Sequence, residues 1–496
     1  MKHYRGYAAL LALLCAASVI TACGDDSAAT PTGKDQGTAS VQEEGTTSRW
    51  QDALPADIDL GGKTVVIHER GDESTKLELN AEMENGDVLN DAVYQRNRGL
   101  EERLNFKLQT YTGPGWAEYL SELTKIRGSI AAGDNAWQII AMWGINSSAL
   151  VLENCFYDLT DMPYLDVTAP WWNQSAVEGL TLGGGRYFVT GDIAVLSMLG
   201  GSYVVFVNDT VCQKNDIESI PALVREGKWT IEKMTEISKS VMADIDGSGS
   251  MDEKDQYGLH IDLYNSADSF YTSADIHQIS VVDGIPVYEP ATERLTKLME
   301  LIYPFYYDGT SVGALMKSGD HELQYNKFMI GESMMIIREL DRARDELRDM
   351  EDDYTIVPVP KLDEEQKEYR TASYNGAAVL GIPTDNPDTD TALIVMEALA
   401  AASHYEITPT YFKTCLQEKY ARNEETMEML EIIRQTQYID SEYLWGGVLN
   451  NPGYIMRNML SKKNKDVASW IAKNEKATIK AIEDTIEKLE AMQNEQ

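Results

Sequence analysis

The segment Asp244-Ile245-Asp246-Gly247-Ser248-Gly249-Ser250-Met251-Asp252-Glu253-Lys254-Asp255 places oxygen-bearing groups at spaced positions along a short loop. Counted from Asp244, the side chains of Asp244, Asp246 and Ser248 fall at positions one, three and five. The carbonyl of Ser250 falls at seven, Asp252 at nine (directly or through water) and Asp255 at twelve. Such a set suits a hard divalent cation, because calcium takes about six to eight oxygens in a flexible shell. Gly249 stands where a tight turn needs a residue without Cβ, and Met251 takes an apolar position. The same Gly, Asp and Ser residues also suit a plain polar surface turn.

The loop resembles an EF-hand-type site, which implies a structural Ca2+. Two departures count against it. Position five is Ser248 rather than Asp or Asn, and position twelve is Asp255 rather than Glu, which shortens a bidentate reach. A second set of residues suits a different chemistry. The chain has 9 Trp and 26 Tyr against 8 Phe, and Trp and Tyr combine apolar area with a polar tip. Sugars need that combination, since they present apolar ring faces and hydroxyl edges.

Catalytic constellations are missing. No G-x-S-x-G elbow, P-loop or HExxH occurs, and the 6 His show no ligand spacing. A polysaccharide hydrolase needs two carboxylates about 5 to 9 Å apart, but with 80 acidic residues a pairing on paper carries no information. Cys155, Cys212 and Cys415 are far apart and form no CxxC or Cys/His cluster. They read as buried thiols, with one remote disulfide as the alternative. A formal charge of -37, from 80 acidic and 43 basic residues, excludes nucleic acid as a partner, because phosphate backbones demand basic clusters.

The N-terminus fixes the compartment. Lys2, His3 and Arg5 precede an uncharged, mostly apolar stretch from Tyr7 to Ile20, which ends in Ile20-Thr21-Ala22-Cys23. The stretch is short for a membrane span of about 20 apolar residues and reads as a secretion signal over residues 1–22. Its end resembles a bacterial lipobox, which implies acylation of Cys23 and a lipid-anchored, extracytoplasmic protein. Several acyl chains hold a membrane firmly where one holds it only marginally. The next residues, from Gly24 to Ser48, contain no aromatic residue. They cannot bury enough apolar surface to offset ordering, so residues 23–59 form an anchor and flexible linker.

The folded part needs elements to hold these residues. Lys63 to His68 is a strand, Asn90 can cap a helix to about Arg103, and Asn105 to Thr110 alternates like a second strand. A helix from Trp116 to about Ala132 and an apolar strand from Ala136 to Trp143 complete a strand–helix–strand–helix–strand pattern. That pattern is the mark of an α/β unit. Further strands are expected at Tyr203–Val207, Met334–Ile337, Tyr354–Pro360 and Ala377–Pro383. Thr230 caps a helix with Trp229 packed on Met234. A helix runs from Thr389 to Ala402, and Val467, Trp470, Ile471, Ile479, Ile482, Ile486 and Leu489 stripe a long final helix.

The order of these segments resembles the family 1 extracellular solute-binding proteins of ABC importers, the maltose-binding-protein-like group. Asn90-Asp91-Ala92-Val93-Tyr94-Gln95-Arg96-Asn97 with Glu101-Glu102-Arg103-Leu104-Asn105 looks like the first helix of the clostridial lipoprotein subgroup. Phe328-Met329-Ile330-Gly331-Glu332-Ser333-Met334-Met335 resembles the family's F-x-x-G-x-x-x-M element. Gly191-Asp192 through Tyr203 to Asn208, and Ser373-Tyr374-Asn375-Gly376 with Ala377 to Pro383, resemble strands that cross between lobes. Tyr411-Phe412 with Leu416 to Tyr420 looks like a later helix of the subgroup.

The resemblance implies a periplasmic-binding-protein-like α/β fold, with two lobes joined by a multi-strand hinge and with C-terminal helices. The N-terminal lobe would be 60–192 plus 372–404, and the C-terminal lobe 193–371 plus 405–496. It implies a non-enzymatic, monomeric receptor that closes on a small solute, an oligosaccharide by family weight, and delivers it to ABC permease subunits. The competing readings are a secreted carbohydrate-active enzyme and a surface polysaccharide-binding protein. Ligands of α/β sheets bind beyond the C-terminal strand ends. The candidate ligand contacts are therefore Trp143 after the third strand, Asp192 and Tyr203 at the first crossing, Tyr374 and Asn375 at the return, and Trp445 in a late aromatic-glycine loop.

Overall fold

A computed structural model describes residues 50–145, 147–252, 254–282, 284–308, 321–373, 376–413 and 424–495. Cys23, Tyr374, Asn375 and Cys415 lie outside the described residues. The chain enters β1 (Lys63–Glu69), then α1 (Val88–Leu104), β2 (Phe106–Thr112), α2 (Tyr119–Ala132) and β3 (Ile139–Trp143). It continues through β4 (Tyr203–Asn208), α3 (Ile231–Ser240), β5 (Tyr257–His260) and α4 (Asn265–Ser273). A hairpin of β6 (Ile279–Val282) and β7 (Ile285–Tyr288) precedes α5 (Thr292–Tyr307). Then come β8 (Ser333–Glu339), β9 (Tyr354–Pro358), β10 (Ala378–Gly381), α6 (Thr389–Ala402), α7 (Ile455–Ser461) and the long α8 (Val467–Glu495).

Two mixed sheets result, each the centre of an α/β lobe. In the first, the order is β10-β3-β1-β2, with β1 parallel to both neighbours and β10 antiparallel to β3. In the second, the order is β9-β4-β8-β5, with β4 antiparallel to β9 and β8. β5 runs parallel to β8. The second sheet is covered on both faces, as its unbroken apolar strands require. Val205 and Val207 of β4 join a cluster with Trp229, Leu259 and Met335. Val204 and Phe206 point the other way, into a cluster with Leu89 and Val93 of α1. This is the two-residue alternation of a strand.

Local signals hold with one correction. The Thr230 hydroxyl accepts from the Lys233 N–H at 3.2 Å and caps α3 as its sequence predicts. The cap of α1 is Asp87, not Asn90. The Asp87 carboxylate accepts from Leu89 and Asn90 N–H, while the Asn90 amide turns back to donate to the Met83 carbonyl at 2.7 Å. An ionised acceptor also gains from the positive N-terminal end of the helix dipole, and Asp87 stands nearer that end. Cys155 and Cys212 are free thiols. Among the described residues no helix is long and apolar enough to cross a membrane.

Candidate ligand cleft and loop site

A cleft of about 1080 Å³ is lined from both lobes. Its first wall starts where β1 ends. Here Gly71 donates its N–H to the Pro114 carbonyl at 3.1 Å, and Gly113 donates to the Glu69 carbonyl at 2.7 Å. A Cβ on Gly71 would sit 2.2 Å from the Gly113 oxygen, so only glycine lets the loops after β1 and β2 approach this closely. The contact delivers Asp72 to Trp116 and Trp143. Asp72 Oδ1 accepts from the Trp116 backbone N–H at 3.1 Å, and Oδ2 accepts from the Trp143 indole N–H at 3.0 Å.

An aromatic platform follows. Trp116 lies flat on Tyr119 with centroids 4.3 Å apart and planes 4° from parallel, and Trp143 meets both rings edge-on. Arg70 sits 5.8 Å from the Trp143 ring centre and donates to the Gly376 carbonyl. Trp143 is only 3% exposed, whereas Trp116 is 43% exposed and lines the cleft.

The opposite wall is charged but balanced. The cleft is lined by six cations (Arg70, Lys76, Arg338, Arg342, Arg344, Arg457) and seven anions (Asp72, Glu73, Asp87, Glu339, Asp341, Asp345, Glu346). Each arginine there has a carboxylate neighbour. Arg338 pairs with Glu339 at 2.9 Å, Arg342 with Glu346 at 3.0 Å, Arg344 with Asp345 at 2.9 Å and Arg457 with Asp268. Burial pushes the Asp341 carboxyl up to about 7, against the pull of Arg342. Paired groups of this kind present fixed donors and acceptors without net charge, the surface that neutral hydroxyls match best.

Of the sequence candidates, Trp143 lines this cleft. Asp192 does not. It meets His404 Nδ1 beside α6. Tyr203 opens β4, opposite Glu339 in register, and is buried in the second lobe's core. Trp445 is buried in the first lobe's cluster and donates its indole N–H to the Gly179 carbonyl at 3.0 Å. These three are not among the lining residues. Trp116, Asp72, Tyr264 and Arg457 are, and sequence reasoning passed over them. The Gly113-Pro114-Gly115 turn before Trp116 was the available signal, since it ends a strand at the face where α/β sheets bind.

The loop at Asp244 folds around its own carboxylates. Ser248 N–H donates to Asp244 Oδ1 at 3.1 Å and to Asp246 Oδ1 at 2.9 Å, and Gly249 N–H donates to Asp244 Oδ2 at 2.7 Å. Gly249 has φ +81°, the left-handed turn its position demands. Oxygens of Asp244, Asp246 and Asp255 lie within 4.8 Å of one another. Asp255 accepts from Asp252 and Ile245 N–H at 2.7 and 2.9 Å. The Asp252 bond leads in holding its carboxyl below the usual range, so it stays ionised. Three clustered carboxylates repel one another, and Lys254 reaches only Asp246, at 4.0 Å. The donor set fits a hard cation, and these three residues could coordinate a metal ion. Ser248 instead donates its hydroxyl to the Ser250 carbonyl at 2.9 Å, and Asp252 accepts from Lys254 N–H at 2.8 Å.

No family model and no curated protein matches the chain. Solved structures do. The galacto-N-biose-/lacto-N-biose I-binding protein of an ABC transporter from Bifidobacterium longum, in complex with lacto-N-biose, aligns with TM-score 0.57. It is 10% identical over 86% of this chain and 98% of that one. The GacH receptor of Streptomyces glaucescens aligns with TM-score 0.54 at 14% identity, over 85% of this chain and 99% of that one. An ABC substrate-binding protein from Listeria monocytogenes, in complex with cycloalternan, aligns with TM-score 0.52 at 13% identity, over 87% and 99%. Structures described as family 1 extracellular solute-binding proteins align as well. At these identities the likeness is one of architecture, and the fold of this chain is that of the family 1 extracellular solute-binding proteins associated with ABC transporters.

Proposed function

We propose that the chain is a lipid-anchored extracytoplasmic receptor, not an enzyme, that captures an oligosaccharide between its lobes and delivers it to an ABC importer. The observation that carries this reading is the 1080 Å³ cleft, with the exposed, Tyr119-stacked Trp116 on one wall and arginine–carboxylate pairs on the other. A stacked indole suits the apolar face of a sugar ring, and the paired polar groups suit its hydroxyls. The sugars held by the similar structures, lacto-N-biose among them, support the same class.

In this reading the lobes are 60–192 plus 372–404 and 193–371 plus 405–496, hinged where the chain crosses, with Trp445 and the end of α8 reaching across to pack in the first lobe's cluster. The ligand favours the closed state by touching both walls at once. The C-terminal helix would steady the hinge, since Ile482, Leu489 and Met492 of α8 pack into the first lobe's cluster. Cys23 carries the lipid, the receptor is a monomer, and Ca2+ occupies the Asp244–Asp255 loop in a structural role.

Two measurements test it. A glycan panel screened by thermal shift should yield a stabilising oligosaccharide, and Trp116→Ala should weaken its binding about tenfold or more. The empty protein should melt unchanged, because Trp116 is half open to solvent. An undiminished affinity in that variant would remove the platform from the site. For the loop, calcium added to chelator-treated protein should raise the melting temperature in a saturable way. Asp255→Asn should abolish that rise. A melting curve indifferent to millimolar calcium would remove the metal.

A further inference from the structure

The region between Arg457 and Lys480 has the opposite electrostatic character to the rest of the chain. It contains seven cations (Arg457, Lys462, Lys463, Lys465, Lys473, Lys476, Lys480) and two acids (Asp466, Glu475), inside a protein with 80 acidic and 43 basic residues. Arg457 and Lys480 have their carboxylates, Asp268 and Asp484. The other five lysines make no ion pair among the described residues. Lys462, Lys463 and Lys465 instead lie over the rings of Trp470, Tyr307 and Tyr303, at 4.8, 5.3 and 5.4 Å from their centres. In so acidic a chain, five lysines with no ion-pair partner among the described residues form a locally basic patch, with Asp466 and Glu475 as its acids.

A pocket of about 300 Å³ opens in this patch, between the Asn450–Tyr454 turn, α7 and the start of α8. Lys462 and Lys473 line it, and no Asp or Glu does. Its frame is tied down by its own amides. The Asn450 amide donates to Thr478 Oγ1 at 3.1 Å, Asn474 to the Trp470 carbonyl at 2.8 Å, and the buried Gln278 to the Pro452 carbonyl at 2.8 Å. Asn451, Asn458 and the Trp470 indole N–H also line it, and among the described residues none of these three groups makes a side-chain hydrogen bond.

The pocket therefore offers a ligand five donor groups, two ammoniums, the N–H bonds of two amides and an indole N–H, beside the acceptor oxygens of those amides and the Tyr288 hydroxyl. Oxyanions need such donors, because each oxygen accepts and charge-assisted bonds are the strong ones. No carboxylate lines the pocket, and Glu475 and Glu442 act on it only from behind Tyr288, which lowers the repulsion an anion would meet there. We propose that the pocket is a second binding site, separate from the cleft, for a small oxyanion of the phosphate class, held by Lys462 and Lys473 with Asn451, Asn458 and Trp470. The site does not depend on the receptor reading.

The same chemistry could come from inorganic phosphate or from a lipid headgroup, and the test separates them. Inorganic phosphate is titrated calorimetrically into the full-length protein at constant ionic strength, alongside Lys462→Gln, Lys473→Gln and the cleft variant Trp116→Ala. Phosphatidylglycerol and phosphatidylcholine vesicles are cosedimented with the same proteins. One saturable phosphate site is expected, weakened about tenfold or more in each lysine variant and unmoved in Trp116→Ala. Both lysines are exposed, so the variants should melt like the parent. Absence of saturable heat would overturn the proposal, as would an affinity that neither lysine substitution changes or that Trp116→Ala changes. Lysine-dependent binding to phosphatidylglycerol vesicles without a phosphate response would also overturn it, and would make the patch a membrane contact.

Discussion

Replacing Trp445 by alanine is expected to lower the stability of the chain by about 3–5 kcal/mol, read as a lower urea midpoint. The indole is 1% exposed and packs with the first lobe's core, among residues drawn from well-separated parts of the chain. Its removal leaves a cavity that the surrounding strands and helices can close only partly, and it orphans the Gly179 carbonyl that the indole N–H satisfies at 3.0 Å. Trp445→Phe separates the two costs. It keeps most of the apolar volume but loses the hydrogen bond, so about 1–2 kcal/mol is expected. The sequence places Trp445 in an aromatic-glycine loop and suggests a ligand contact, for which the alanine variant would bind weakly and melt normally. An unchanged midpoint with weakened glycan binding would restore that role and contradict the core placement.

Trp445 shows why part of the molecule is legible in the sequence and part is not. Strand and helix positions follow from local pattern. The apolar run ending at Trp143 and the Thr230 cap are visible from their neighbours, and both are found where expected. The two-lobe α/β architecture follows from the order of those patterns. What a loop residue touches is decided far away in the chain. Asp192 meets His404, 212 residues on, and Trp445 meets Gly179, 266 residues back. Trp143 lines the cleft because a rule about strand ends places it, independent of loop paths. Trp116 follows a strand end too, but its place depends on two glycines letting neighbouring loops touch. The metal-type loop sits between these cases. Its candidate groups lie within twelve residues of sequence, and three of the six expected positions, Asp244, Asp246 and Asp255, are found together.

Arg457→Met is expected to cost about 2–3 kcal/mol at about pH 8 and distinctly less at about pH 6. Arg457 lines the cleft, lies 4.4 Å from the Tyr454 ring centre, and donates Nε–H to Asp268 Oδ1 at 2.9 Å, with a second bond from Nη2. Asp268 is buried, and that burial pushes its carboxyl up to about 7 even with the arginine opposing it. Methionine preserves much of the volume but strips the carboxylate of its cation, so the folded-state pKa rises further. A carboxyl raised above its unfolded value near 4 contributes most stability below that value and loses it as pH rises through the folded pKa. The variant can therefore bind a proton and recover part of its loss at the lower pH. At the higher pH it must bury an unpaired charge, and the cost stays below the usual range for broken buried pairs because Arg457 is 22% exposed. Urea midpoints of both proteins at the two pH values decide the matter. Equal losses at both would mean that the lost packing against Tyr454 and Tyr264, and not the stranded carboxylate, sets the cost.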